Sequence, residues 1–160
     1  GDGDTGSTLA GAAKALIGAV DGLPLANHAQ LFRAIGQELS QKMGGSSGIL
    51  LAIFFTATGD AASNGLTTIA ALKSGLDRMQ HVGGADIGDR TMVDALHPAL
   101  TVLHLGASNA AGAARKGAIH TATIVNSKVG RASYINAKQL EGNIDPGAEA
   151  VARLFEYLSS

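Results

Sequence analysis

Alanine and glycine supply 51 of the 160 residues, while aromatic side chains make up only 4%. A chain so short of large side chains cannot fill its core with bulky knobs. It must bring backbones close together, and helices with small-residue faces do this well. At this length folding buries roughly 70% of the extended chain's surface, enough for one domain with a core of its own. The expectation is an all-α fold, and the apolar periodicity agrees.

Leu9, Ala12, Ala13, Leu16, Ile17 and Val20 recur at helical spacing, with Asp4 or Thr5 as the cap and Gly22 and Pro24 as the stop. Asn27 followed by Gln30 resembles a capping box, opening a helix with the stripe Leu31, Ile35, Leu39 and Met43. Residues 44–48 read Gly-Gly-Ser-Ser-Gly, a turn. Ile49 to Phe55 suits a buried strand or a buried helix; the apolar run continues through Ala57 with no strand to pair with, which decides for helix. Ile69, Leu72, Leu76 and Met79 mark the next helix, and 82–89 is a glycine-rich loop. Asp89 reads as the N-cap of a helix carrying Met92, Val93, Leu96, Leu100 and Leu103, kinked at Pro98. An alanine-rich helix is expected over about 109–125, and a loop or turn over 126–134. Asp145, Pro146 and Glu149 announce a last helix with Val151, Leu154, Phe155 and Leu158 on its apolar face. The sum is one all-α domain of about seven helices.

Several function classes are excluded. Twelve Lys and Arg against 13 Asp and Glu leave a net charge of −1, and no basic cluster stands out, so a nucleic-acid footprint is not expected. Without cysteine there is no disulfide scaffold, thiol nucleophile or Cys-zinc site, which fits a reducing, cytoplasmic setting. The longest apolar run, Gly48 to Phe55, falls short of the ~20 residues of a membrane span. His28, His81, His97, His104 and His120 are scattered and read as surface or core, not metal ligands. Gly1-x-Gly3-x-x-Gly6 follows no strand, so it is not a dinucleotide fingerprint.

The polar chemistry sits in the glycine turns before helices. Free N–H groups and the helix dipole favour phosphate there. Gly1-Asp2-Gly3-Asp4-Thr5-Gly6-Ser7-Thr8 is the sharpest piece. Two carboxylates at i and i+2 can turn toward one hard cation, Mg²⁺ or Ca²⁺, and the following residues offer backbone and hydroxyl donors. Carboxylate, metal and phosphate together form the logic of phosphoryl transfer. The blander reading is a capped turn with solvated aspartates. Residues 44–48, 88–92 and 130–134 are each weaker alone; Arg131 beside Gly130 suits a phosphate clamp or an ordinary surface charge.

Taken in order, GDGDTGST at 1–8, MGGSSG at 43–48, GGADIGDRTMVDAL at 83–96, GRASY at 130–134 and DPGA at 145–148 resemble the nucleotide-binding domain of the dihydroxyacetone (glycerone) kinase family over essentially the whole chain. The resemblance implies an antiparallel barrel of about seven to eight α-helices with the nucleotide at one rim. It implies Mg²⁺ on Asp2 and Asp4, and phosphate at Thr5, Gly6, Ser7, Thr8, Ser46 and Ser47. It also implies the adenosine part at Gly83, Thr91 and Met92, a catalytic and phosphate-contacting Arg131, and a nucleotide-contacting loop at Asp145, Pro146 and Gly147. A further metal-binding aspartate and a first helix are implied upstream of Gly1, and the connection over Leu105 to Ala110 is short for the family. The ketone-binding domain is not in this sequence, so a dihydroxyacetone-binding domain or subunit is the expected partner, with a homodimer as the expected assembly of the complete enzyme.

Three readings compete. In the first, Mg–ATP donates its γ-phosphate to a ketone held by another domain. In the second, the chain holds ADP as a cofactor that a phosphocarrier protein rephosphorylates; that branch tends to read His where this chain has Thr5. In the third, a non-catalytic helical barrel binds an apolar ligand lined by Ile49 to Phe55.

Overall fold

The computed structural model describes residues 4–125 and 140–160, with backbone alone for 4–9 and 12. The described residues form seven α-helices and no strand: α1 (Asp4–Ala19), α2 (His28–Lys42), α3 (Gly45–Ser63), α4 (Thr68–Gly83), α5 (Val93–Val102), α6 (Ala107–Thr121) and α7 (Pro146–Leu158). Short 3₁₀ turns follow α1 at Val20–Gly22 and α5 at Leu103–Leu105. The all-α expectation holds. The described residues of 4–83 form one compact unit and those of 84–160 another.

In the first unit α3 packs between α2 and α4, and α1 lies on α2. Asn27 Oδ1 accepts from the Gln30 N–H at 3.0 Å, so α2 starts at the expected cap. Leu39, Met43 and Ala52 are buried together, with Leu16, Ile35, Leu51 and Phe55 packed around them. Phe55 stacks on Phe32 at 6.3 Å and meets Phe54 edge-on at 5.0 Å. Small residues set the helix spacing. A Cβ at Gly36 would lie 2.5 Å from Thr56 Oγ1 and 3.0 Å from the Ala52 carbonyl oxygen; one at Gly59 would lie 2.7 Å from that of Ala29. These glycines are spacers between α2 and α3.

Two expectations need correcting here. Residues 44–48 are not all turn: only Gly44 stays outside, and Ser46, Ser47 and Gly48 form the first turn of α3. A Cβ at Gly48 would lie 2.5 Å from the Met43 carbonyl oxygen, so that glycine permits a close return of the chain after α2. The helix built on the apolar run is also longer than the run itself. With 19 residues, 18 of them in a stretch of mean hydropathy 1.2, α3 is long and apolar enough to cross a membrane by length and composition, although here it is packed between two helices.

The second unit packs α5, α6 and α7 against one another. Their covered faces are largely alanine: Ala95 and Ala99 on α5, Ala110, Ala114 and Ala118 on α6, Ala148 and Ala152 on α7. Pro98 lies inside α5 and has no N–H for the carbonyl of Asp94 four residues back. Gly117 of α6 sits directly on that carbonyl, where a Cβ would overlap it. The alanine-rich helix runs from Ala107 to Thr121, not 109–125: Gly106, at φ 115°, admits the chain to it, and a turn follows Thr121. The apolar face of α7 also differs from expectation. Ala148, Ala152 and Phe155 are buried, whereas Leu154 and Leu158 are 51% and 61% exposed. Close helix approach selects the alanines for the interface and leaves the leucines on the flank. The turn expected over 126–134 lies outside the described residues.

Candidate functional site

In the second unit, the loop before α5 is ordered by acids. Asp89 does not cap α5, which begins at Val93; its Oδ2 accepts from the Asp86 N–H at 2.9 Å. No side chain caps α5 at Met92; the loop is instead braced by Asp94, inside the first turn and only 3% exposed. Its Oδ1 accepts from Gly88 N–H at 2.6 Å and its Oδ2 from Thr91 N–H at 2.7 Å. Thr91 Oγ1 in turn accepts from Val93 N–H at 3.2 Å. A carboxylate taking two amide hydrogen bonds fixes both ends of the turn over 88–91.

The start of α7 is fixed from both sides. Asp145 Oδ2 accepts from Ala148 N–H at 2.9 Å, the cap expected from the sequence. Its own N–H donates to Thr121 Oγ1 at 2.8 Å, and that hydroxyl donates to the Ala118 carbonyl at 2.5 Å. Burial pushes the Asp145 carboxyl above its ordinary value, against the opposing pull of the Ala148 amide and the Arg90 charge.

Arg90 joins the two segments. It holds a left-handed backbone, φ 61°, and is 1% exposed. Its Nη2 donates to the Asn143 carbonyl at 2.7 Å and to the Leu140 carbonyl at 3.4 Å. Its Nη1 stands 4.0 Å from Asp145 Oδ1. Gly147 is seated on Met92: a Cβ there would lie 3.2 Å from Met92 Cβ and 3.5 Å from Met92 N. Thr91 and Met92 are thus brought beside Asp145, Pro146 and Gly147.

In the first unit, α1 begins at Asp4, so Thr5, Gly6, Ser7 and Thr8 fall in its opening turns. Asp4 is itself helical rather than a cap outside the helix. The first-turn amides of α3 receive no side-chain cap from Gly44 and lie beside Ser46 and Ser47. Uncapped N–H groups of this kind suit an anion. Gly83 closes α4 against Leu50, with a Cβ there 3.0 Å from Leu50 Cδ2. Leu50 stands one turn along α3 from Ser46 and Ser47, so Gly83 borders the same end of that helix. Asp2 and Arg131 lie outside the described residues. A groove of about 380 Å³ is also present, lined by Ile49, Ala52, Ile53 and Ala57 with Asp60 and Arg78 at its polar part.

Sequence reasoning missed Arg90, Asp94 and Thr121. The first two stand inside a segment already singled out, but nothing in the spacing separates a buried arginine from a surface one. Thr121 ends an alanine-rich helix and gave no signal.

The secondary structure of the described residues is thus all helical, with an uncapped start to α3 in one unit and a cross-braced loop before α5 and α7 in the other. The chain matches the DAK2 domain over residues 1–160 and belongs to that family. It is 48% identical to the dihydroxyacetone kinase of Citrobacter freundii, over 99% of this chain and 30% of that protein. It is 32% identical to DhaL, the ADP-binding subunit of a PTS-dependent dihydroxyacetone kinase of Lactococcus lactis, over 99% of this chain and 81% of the subunit. The crystal structure of the C. freundii kinase in native form superposes with a TM-score of 0.86 at 47% identity, and its complex with AMP-PNP and Mg²⁺ with 0.83 at 45%. They cover 99% of this chain and 29% and 28% of those chains. The chain thus spans about a third of the kinase it most resembles among these.

Proposed function

We propose that this chain is the Mg–ATP-binding domain of a cytoplasmic dihydroxyacetone or related ketose kinase, working with a ketone-binding domain or subunit in an enzyme that assembles as a homodimer. One observation carries the reading: 45% identity over 99% of the chain to a kinase crystallised with AMP-PNP and Mg²⁺. The residues present fit that ligand. The opening turn of α1 and the uncapped start of α3 offer backbone donors to phosphates. Thr91, Met92, Gly83, Asp145, Pro146 and Gly147 would hold the nucleoside. Asp2 and Asp4 are hard oxygen ligands and would hold Mg²⁺, which when bound neutralises phosphate charge.

The ketone's terminal hydroxyl oxygen bonds to the γ-phosphorus as the bond to the β,γ-bridging oxygen breaks; ADP leaves, and the hydroxyl proton is lost to a base on the ketone side. This chain contributes positioning and charge. Helix-start amides orient the phosphates, and Arg131 would stabilise the charge on the transferred group.

Calorimetric titration of ATP with and without Mg²⁺, on the chain and on Asp2→Ala/Asp4→Ala, tests this. Binding should require Mg²⁺ and vanish in the double variant. Binding that survives in the double variant would refute the metal assignment. No binding in any condition would refute the reading for this chain. The 81% coverage of the Lactococcus subunit favours a second reading, that of an ADP-holding subunit. ADP retained through desalting, and exchanging slowly, would select it.

A further inference from the structure

We infer that Arg90 is a positioning residue for nucleotide binding: it sets the distance between the Thr91–Met92 and Asp145–Gly147 segments without touching the ligand. The inference rests on the nucleotide-binding reading above.

The backbone supplies the first reason. At φ 61° an arginine is disfavoured and a glycine would sit without strain. The residue kept in this conformation has its guanidinium out of solvent, at 1% exposure. What favours arginine here is therefore what its side chain reaches.

Those contacts form a brace. The Arg90 backbone leads directly into Thr91 and Met92. Its side chain crosses to the far segment, donating to the carbonyls of Asn143 and Leu140 and facing Asp145. Gly147 then rests on Met92. No other described side chain donates from the loop over 84–92 to the carbonyls leading into α7. A planar fork with fixed donor directions makes such a strut stiffer than an ammonium on a flexible stem. Nε and Nη1 find no hydrogen-bond acceptor among the described residues, so the charge is held by these few partners.

A brace that positions ground-state contacts affects uniform binding. Its loss should raise the KM for ATP more than it lowers kcat. Arg90→Met keeps bulk and removes charge and donors. It should raise the Kd of the full chain for Mg–ATP by about 10–100-fold, and the KM of the complete kinase to match. Arg90→Lys should recover part of the loss. Phe155→Leu, a packing change on α7 distant from these hydrogen bonds, should lower the melting temperature and leave the KM unchanged.

A folded Arg90→Met chain that binds Mg–ATP as wild type does would overturn the inference. So would a drop in kcat at constant KM. Should Arg90→Met fail to fold, amide hydrogen exchange in Arg90→Lys decides. Exchange should quicken together at Gly88, Thr91 and Ala148; a change on one segment alone refutes the brace. If wild type binds no nucleotide, the functional reading fails by itself, and the exchange experiment still tests the brace.

Discussion

Two glycines on α6 should respond in opposite directions to the same substitution. Gly112 and Gly117 both lie inside the helix. An added Cβ at Gly112 meets nothing within 4 Å, while at Gly117 it overlaps the Asp94 carbonyl. Gly→Ala in a helix interior gains about 1 kcal/mol from backbone entropy alone. Gly112→Ala should deliver most of that gain, raising the melting temperature by about 2–4 °C for a chain of this size. At Gly117 the same gain meets a backbone obstacle. The Asp94 carbonyl is the one Pro98 leaves without a helical N–H, and Gly117 occupies its place. To admit a methyl group, α5 and α6 must part, at a cost of about 1–3 kcal/mol or more. The net effect is a loss of about 2 kcal/mol or more at the upper end of that cost, and since Asp94 holds Gly88 and Thr91, Mg–ATP affinity should fall with it. Urea unfolding of both variants, with nucleotide titration, is the assay. Equal shifts in the same direction would refute the packing account of this interface.

Thr121→Val keeps the shape and removes the only hydroxyl that accepts the Asp145 N–H among the described hydrogen bonds. At 0% exposure the loss should cost about 1–3 kcal/mol, read from denaturant midpoints at unchanged slope. Arg115 bonds Glu149 on one side and Glu156 on the other, holding both carboxyls below their ordinary values. Folded values below the unfolded 4.5 mean stabilisation that is present above about pH 4.5 and is lost as pH falls through the folded values. Arg115→Met should therefore destabilise at pH 7 and converge with wild type in acid, and a difference independent of pH would exclude this origin. Asp145 works with the opposite sign: raised by burial, its carboxyl weighs against folding above its folded value and stops doing so below 3.8.

The fold was legible because composition and period agreed. Fifty-one small residues demanded close helix contact, and Gly36, Gly59 and Gly117 stand at such contacts. Capping chemistry was legible where donor and acceptor are local, as at Asn27 with Gln30 and at Asp145 with Ala148. It failed at Asp89, whose carboxylate turns back to the Asp86 amide rather than forward to the helix. Asp94 braces the loop by reaching back to Gly88 and Thr91 together. The face of α7 was misread for a related reason. Hydropathy ranks leucine over alanine, but an interface set by distance of approach takes Ala148 and Ala152 and turns Leu154 and Leu158 outward.

The site divides along the same line. Helix starts announce themselves in glycine, serine and aspartate, and so the segments at 1–8, 44–48 and 145–148 stood out. What fixes one segment against another is long-range and leaves no periodicity. Arg90 reaches Asn143 across 53 positions, and Thr121 reaches Asp145 across 24. Within the second unit, the placement of the 88–92 and 140–147 segments comes from single buried side chains that only the fold brings into view. On the nucleotide-binding reading proposed above, substitutions at Arg90, Asp94 and Thr121 should therefore act on affinity through geometry, and those at Ser46, Ser47 and Thr91 through contact.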